Sequence, residues 1–211
     1  MRRPAGAFPC SSSTSSRADL RSWEPQLRVF GRRNRCLAYN ARGYPPSDVP
    51  DDQAAYSQQA AVDDAVAVLA AAGVANAHVV GLSMGGFTAL HLTMQRPDLV
   101  RSALVAGAGY GAHPDTRESF RSEAELVARA FETEGTAKVA ERYAVGPTRV
   151  QLQNKDARGW AEFARRLGEH DSAGAGRTMR GGPASTPLAV RPHGAARAHR
   201  GAAVDRHRGR G

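Results

Sequence analysis

Apolar residues along this 211-residue chain follow two rhythms: short apolar runs alternate with helical stripes up to about residue 107, and beyond Asp115 only the helical period remains. In DLRSWEPQLRVF, Trp23, Leu27 and Phe30 recur at helical spacing and predict a helix. RCLAYN (35–40) reads as a short buried strand, and ARGYPPSDVPDDQAA, with three prolines and several turn formers, reads as a loop. YSQQAAVDDAVAVLAAAG predicts a helix with Ala61, Ala65, Val66 and Leu69 on one face and Gly73 at its C-terminal cap. AHVVGL (77–82) is a second strand. A helix follows from Met84 to about Gln95 with Phe87, Leu90 and Met94 on one face, and SALVAG (102–107) is a third strand. Alternating strands and helices, with strands apolar throughout, predict an α/β fold whose parallel sheet is covered by helices.

The second half carries three helical stripes: Phe120, Ala124, Val127 and Phe131; then Val139 and Tyr143; then Trp160, Phe163 and Leu167. They predict a helical insertion over 114–173, placed after a strand where a lid belongs. The core then spans 18–113. Residues 1–17 are Ser-, Pro- and Ala-rich without periodicity and read as a disordered leader. Residues 174–211 hold eight Gly, eight Arg and no aromatic residue. Such a stretch buries too little surface to offset its ordering entropy and reads as a disordered tail.

The net charge of +9 changes meaning once it is located. The tail carries eight Arg against one acid and residues 1–17 carry three Arg and none, which leaves the body at −1. A nearly neutral body excludes a specific nucleic-acid surface on the fold. The tail offers weak, salt-sensitive binding to anionic surfaces, with no aromatic residue for base stacking. No apolar run reaches the length that spans a bilayer, and the start has no sustained apolar stretch of a secretory signal. Cys10 and Cys36 make neither a disulfide framework nor a metal spacing. The expectation is a cytoplasmic protein with no metal, no cofactor and no membrane partner, acting on a small molecule.

The chemistry concentrates in GLSMG, residues 81–85. This is Gly-x-Ser-x-Gly between a predicted strand and a predicted helix, where the turn is sharp and its central residue strained. Gly81 and Gly85 let strand and helix pass closely, and Gly86 adds room. Ser83 then projects a hydroxyl at the carboxyl end of the strand, and the Met84 amide at the helix N-terminus can face a developing oxyanion. The bland alternative is a glycine-rich turn with a surface serine.

These residues carry a resemblance. From about Leu20 to about Arg180 the chain resembles the α/β-hydrolase fold family: VVGLSMGG matches its fifth strand and nucleophile elbow, and RPDLVRSALVAGAG its run into the sixth strand. YNARGYPPSD is similar to its Asp-x-Arg-Gly-x-Gly-x-Ser segment, with Asn40 in place of the Asp and Pro45 in place of the second Gly. The resemblance implies a serine hydrolase cleaving an ester, lactone or amide, with Ser83 as nucleophile and Met84 as an oxyanion donor. It implies a partial version of the fold, incomplete at both ends. The family's third strand falls where AFPCSSSTSSRADL stands, which has no apolar run and no His-Gly. With that strand absent, RCLAYN would lose its neighbour or slide against HVVGL. The sixth strand would be an open edge, prone to self-association. Oligomeric state is not specified.

The triad acid and base have no assignment. The family places them beyond the lid, where this chain has the Arg/Gly/Ala tail with His193, His199, His207 and Asp205. His78, His91 and His170 read as structural or solvated, His113 lies near the site mouth, and Asp63 and Asp64 form a solvated helix face. Abrupt loss of pattern at both ends suggests truncation or a frame shift in GC-rich DNA. The alternative reading is therefore an inactive remnant or interaction protein with a hydrolase-like core.

Overall fold

A computed structural model describes residues 9–11, as backbone strand only, and 19–182. Its centre is a four-stranded parallel sheet in the order β2-β1-β3-β4, built from β1 (Pro9–Ser11), β2 (Leu37–Tyr39), β3 (Ala77–Leu82) and β4 (Val100–Ala106). The α/β class, the parallel sheet and the bounds of β3 follow the apolar pattern. The first strand does not. Pro9–Ser11, inside the segment expected to be a disordered leader, lies between β2 and β3, with Cys10 opposite Ala38 on one side and Val80 on the other. RCLAYN therefore neither loses its neighbour nor slides onto HVVGL. Two strand edges supply hydrogen-bonding partners here, and such tertiary pairing overrides weak strand propensity.

Helices α2 (Gln58–Ala71) and α3 (Met84–Gln95) cover one face of the sheet. Val62, Ala65, Val79, Ala89 and Leu92 form the core between them, with Val100 and Val105 of β4 packed alongside. Burial of a side chain the size of Val62, Val79 or Leu92 stabilises the fold by about 1.5–3 kcal/mol. Ser57 caps α2 by accepting the Ala60 N–H at 3.0 Å. At the other end Gly73 takes φ 63°, Gly73 N–H donates to Ala70 and Val74 N–H donates to Leu69, the paired bonds that close a helix with glycine.

Two predicted stripes are rotated. On α2 the buried set is Gln58, Val62, Ala65 and Leu69, while Ala61 and Val66 are half-buried. On α3, Met94 is exposed and Leu90 half-buried; the first half of the helix, Gly85 to Ala89, is buried on every side. Gly182, the last of the described residues, lies against Met84, so α3 has neighbours besides the sheet and its burial is no longer one stripe.

The short helix α1 (Glu24–Phe30) lies on the opposite face, after a 3-10 turn over Leu20–Trp23. Asn40, at the end of β2, ties this region together. Its Oδ1 accepts the Leu20 N–H at 2.8 Å, its Nδ2 donates to the Pro45 carbonyl at 2.6 Å, and its own carbonyl accepts from Ser47 Oγ at 2.6 Å. A carboxylate could accept from Leu20 but would face the Pro45 carbonyl without a proton to give. Asn40→Asp is therefore expected to lower stability by about 1–3 kcal/mol in urea unfolding, the cost of an unmatched buried acceptor. An unchanged midpoint would show that the amide donor is dispensable.

Asp63 and Asp64, expected on one solvated face, have different surroundings. Asp63 accepts from Gln59 on the surface. Asp64 is half-buried and takes two bonds from Arg42, at 2.6 and 2.8 Å, and Arg42 also donates to the Ala55 carbonyl.

The insertion is helical, as its period predicts: α4 (Pro114–Ala144), α5 (Val150–Lys155), α6 (Ala157–Gly168) and α7 (Ser172–Gly181). Helix α4 breaks at Gly135, at φ 83° and ψ 159°. Thr136, just past the break, donates its N–H to Ser172 Oγ and its hydroxyl to the carbonyls of Gly168 and His170. Phe131, Val139 and Ala175 form a separate core inside this layer. Trp160 donates to the Ala144 carbonyl at 2.6 Å, and Arg149 lies over the rings of Tyr143 and Phe163. These aromatic side chains are used in packing the insertion itself.

Helix α7 overturns part of the tail expectation. Residues 174–181, counted as disordered from their Gly and Arg content, complete a ten-residue helix. Its glycines permit backbone-to-backbone contact with the loop after β2: a Cβ on Gly174 would fall 2.2 Å from Gly43 O, and one on Gly181 1.9 Å from Tyr56 O. Arg180 binds Glu125 and Glu132 of α4, and its hydrogen bonds hold the Glu125 carboxyl down to about 2. Arg177 reaches the Pro50 carbonyl and Asp51. The remainder of the predicted tail, with His193, His199, His207 and Asp205, lies outside the described residues.

Candidate active site

Strand β3 ends at Leu82 and α3 begins at Met84, so Ser83 alone makes the reversal. Its backbone sits at φ 56° and ψ −117°, and among the described residues it is the one non-glycine with positive φ. Conformations of this kind cost a side-chain-bearing residue about 1–3 kcal/mol and persist only where the surroundings hold them. Three backbone bonds do so: Ser83 N–H donates to Ala106 O at 2.7 Å, and Ser83 O accepts from Gly86 at 2.9 Å and Phe87 at 3.2 Å.

The neighbouring glycines have steric reasons. A Cβ on Gly81 would lie 2.1 Å from Gly85 O and 2.8 Å from Gly86 N, so only glycine lets the strand pass under the start of α3. A Cβ on Gly86 would meet Ala108 Cβ at 2.8 Å and Ala106 O at 3.2 Å, so glycine there lets α3 approach the end of β4. For Gly85, what matters to the turn is its carbonyl, which Gly81 must clear. The N–H of Met84 begins α3 and has no acceptor within the helix, at the end where the helix dipole favours negative charge. Ser83 is half-buried, and among the described residues its Oγ has no hydrogen-bond partner.

The histidines within the described residues have surroundings of their own, away from Ser83 Oγ. His78 Nδ1 is 2.8 Å from Ser102 Oγ. His91 is buried in α3, where desolvation pushes its pKa down, and its Nε2 has no partner among the described residues. His113 caps α4, with Nδ1 accepting the Asp115 N–H at 3.4 Å. His170 packs edge-on against Tyr44, with ring centroids 5.1 Å apart, and its Nε2 is 3.5 Å from Asp19 Oδ2. Neither a histidine nor a carboxylate among the described residues hydrogen-bonds Ser83. No three His, Cys, Asp or Glu side chains among them gather as a metal site, and no described helix is long and apolar enough to cross a membrane.

The Asp19–His170 pair had no sequence signal, since the residues stand 151 positions apart and neither belongs to a motif. Burial would raise the Asp19 pKa; the nearby His170 ring and hydrogen bonds from the Arg21 guanidinium and the Arg21 N–H outweigh it and hold the carboxyl well below the usual range. Arg21 also binds Glu169 at 2.7 Å, and Arg166 donates to the Arg21 carbonyl at 2.9 Å. This cluster clasps the end of α6 to the segment before α1. It is an anchor for the insertion.

The sheet order, the elbow and the helical insertion define a class. The profile of the alpha/beta hydrolase fold matches residues 17–174, three quarters of the chain, and the chain belongs to that family. Among curated proteins it is similar to 3-oxoadipate enol-lactonase 1 of Acinetobacter baylyi, at 31% identity over 124 residues, covering 59% of this chain and 45% of that protein. The chain thus spans less than half the length of that curated relative. Among solved structures it is similar in fold to the enol-lactonase from Burkholderia xenovorans LB400, with TM-score 0.66 and 21% identity, covering 86% of this chain and 65% of that one. It is likewise similar to a thermophilic esterase from Thermogutta terrifontis, with TM-score 0.70 and 18% identity, covering 87% of this chain and 64% of that one.

Proposed function

We propose that this chain carries the nucleophile half of a serine hydrolase acting on a small ester or lactone, with Ser83 as the attacking residue. The observation that carries the proposal is the Ser83 backbone, a strained serine held by three hydrogen bonds where a relaxed turn would use glycine. Strain maintained at a single polar residue is the mark of a functional position. The family membership and the enol-lactonase relative support the bond type; an amide remains the third member of the same reaction class.

In this reading Ser83 Oγ attacks the carbonyl carbon and its proton passes to a base. The carbonyl oxygen becomes an oxyanion, to which the Met84 N–H donates at the dipole end of α3. Loss of the alkoxide leaves an acyl-serine, and water then releases the acid and restores the hydroxyl. One well-placed oxyanion donor contributes about 10²–10³ in rate. The base and acid have no assignment among the described residues, and a serine without its base is a weak nucleophile.

A second reading rests on that same finding. With no histidine or carboxylate among the described residues bonded to Ser83, the hydrolase-like core would serve as a non-catalytic binding scaffold. A fluorophosphonate probe separates the two. The expected result is stoichiometric labelling of the purified chain that vanishes in Ser83→Ala. A folded protein that does not label would favour the scaffold.

A further inference from the structure

Two polar side chains stand in the apolar layer between α2 and α3. Gln58, in the first turn of α2, and Thr88, in α3, are each 2% exposed, on the helices that also bury Val62, Ala65, Ala89 and Leu92. Burying an amide or a hydroxyl costs free energy unless it is hydrogen-bonded, and an apolar pair of the same shape would fill this space without that cost. The two are joined in a chain. Gln58 Nε2 donates to Thr88 Oγ1 at 3.2 Å, and Thr88 Oγ1 donates to the Met84 carbonyl at 3.3 Å.

The direction of this chain follows from its chemistry. An amide N–H can only donate, so the Thr88 oxygen accepts it and the hydroxyl hydrogen is left for Met84. Gln58 Oε1 has no partner among the described residues. Gln58, Thr88, Met84 and Thr178 border a cavity of about 30 Å³, more than the roughly 10–15 Å³ that admits a water able to serve that oxygen. Met84 bears the N–H at the start of α3 that has no acceptor within the helix. Its peptide is held on one side through the Ser83 carbonyl, by Gly86 and Phe87. On the other side Thr88 holds the Met84 carbonyl, and among the described residues it is the one side chain that hydrogen-bonds the Met84 backbone.

We propose that Gln58 is a positioning residue for the oxyanion donor: by orienting the Thr88 hydroxyl onto the Met84 carbonyl, it fixes the first peptide groups of α3. This rests on the reading of Ser83 as nucleophile and of the Met84 N–H as its oxyanion donor. Such a donor stabilises the transition state in full only when its direction is set before the reaction. Losing the worth of one hydrogen bond should slow attack by Ser83 about two- to tenfold.

The test uses the full chain, isotope-labelled at the carbonyl carbon and amide nitrogen of methionine, which marks Met1, Met84, Met94 and Met179 for magnetic resonance. Gln58→Leu removes the donor, and Thr88→Val keeps the shape without the hydroxyl. Both should move the Met84 carbonyl and amide signals while those of Met94 and Met179 stay. Thr88→Ser, which keeps the hydroxyl, should return them toward the parent. A pH profile gives a readout that packing alone would not move. In Gln58→Glu a protonated carboxyl can donate to Thr88 as the amide does, whereas a carboxylate accepts the hydroxyl and takes it from Met84. The Met84 signals of that variant should therefore titrate and meet the parent's at the acid end. Arg42, Asp64 and Tyr56 border the same cavity, and the parent's own titration accounts for them. Fluorophosphonate labelling should slow by the stated factor in Gln58→Leu and Thr88→Val and recover in Thr88→Ser. Met84 signals unmoved in the first two variants would overturn the proposal. So would equal movement at Met94 and Met179, which means general repacking, or a Gln58→Glu profile as flat as the parent's. Labelling at the parent's rate despite moved signals would also refute it. Labelling of the parent chain tests the nucleophile reading by itself, and the Met84 signals decide the relay whether or not it labels.

Discussion

Gly81→Ala is expected to lower stability by about 3 kcal/mol or more and to abolish fluorophosphonate labelling at Ser83 together with it. The added Cβ would stand 2.1 Å from the Gly85 carbonyl oxygen and 2.5 Å from its carbon. Both atoms belong to backbone in the first turn of α3, so no rotamer change makes room. Overpacking that side chains can absorb costs about 1–3 kcal/mol, and a clash with fixed backbone belongs at or above that range. Relief requires β3 and α3 to separate, which breaks the Ser83 N–H bond to Ala106 and the geometry around the hydroxyl. Urea unfolding measures the first effect and probe labelling the second. A variant within about 0.5 kcal/mol of the parent would mean that the strand does not pass beneath the helix as described.

Gly181→Ala tests the other backbone contact, with a different expected signature. Its Cβ would fall 1.9 Å from the Tyr56 carbonyl oxygen and 2.6 Å from Tyr56 Cβ, beside a side chain that is itself buried. The expected cost is again about 3 kcal/mol, but it falls on the docking of α7 against the loop after β2. The core between α2, α3 and the sheet does not use this contact, so local opening should precede global unfolding. Limited proteolysis should cut α7 readily in the variant, while amide hydrogens of β3 and α3 stay protected. Equal loss of protection in both regions would show that the insertion and the sheet unfold as one unit.

The two substitutions bear on one question, how the elbow is kept. Ser83 is held from below by Gly81 and Gly86, which admit the close approach of β3, α3 and β4. From the side of the helical insertion, Gly182 rests against Met84 and α7 is fixed by Arg177, Arg180 and its glycines. A strained residue survives only if its surroundings are firm, so weakening either side should act on Ser83 chemistry as well as on stability.

The sequence by itself determined the features that depend on neighbours a few residues apart. Val79 and Val80 within AHVVGL mark a strand buried in a parallel sheet, and β3 occupies those residues. Gly73 ends α2 because it can take φ 63°. The glycines and serine of GLSMG state the elbow directly, since the turn needs those residues within five positions. Tertiary structure decided whatever depends on partners far along the chain. Pro9–Ser11 has no strand pattern and becomes one because two strand edges flank it. Gly174 to Gly181 read as a tail because glycine lacks side chains to bury, yet that same lack lets α7 touch the backbone of Gly43 and Tyr56. Asp64 looked like solvated surface until Arg42 was folded against it, and Asp19 and His170 belonged to no pattern. Periodicity records which side chains seek an interior; it does not record which backbone edges or charged groups the fold brings together.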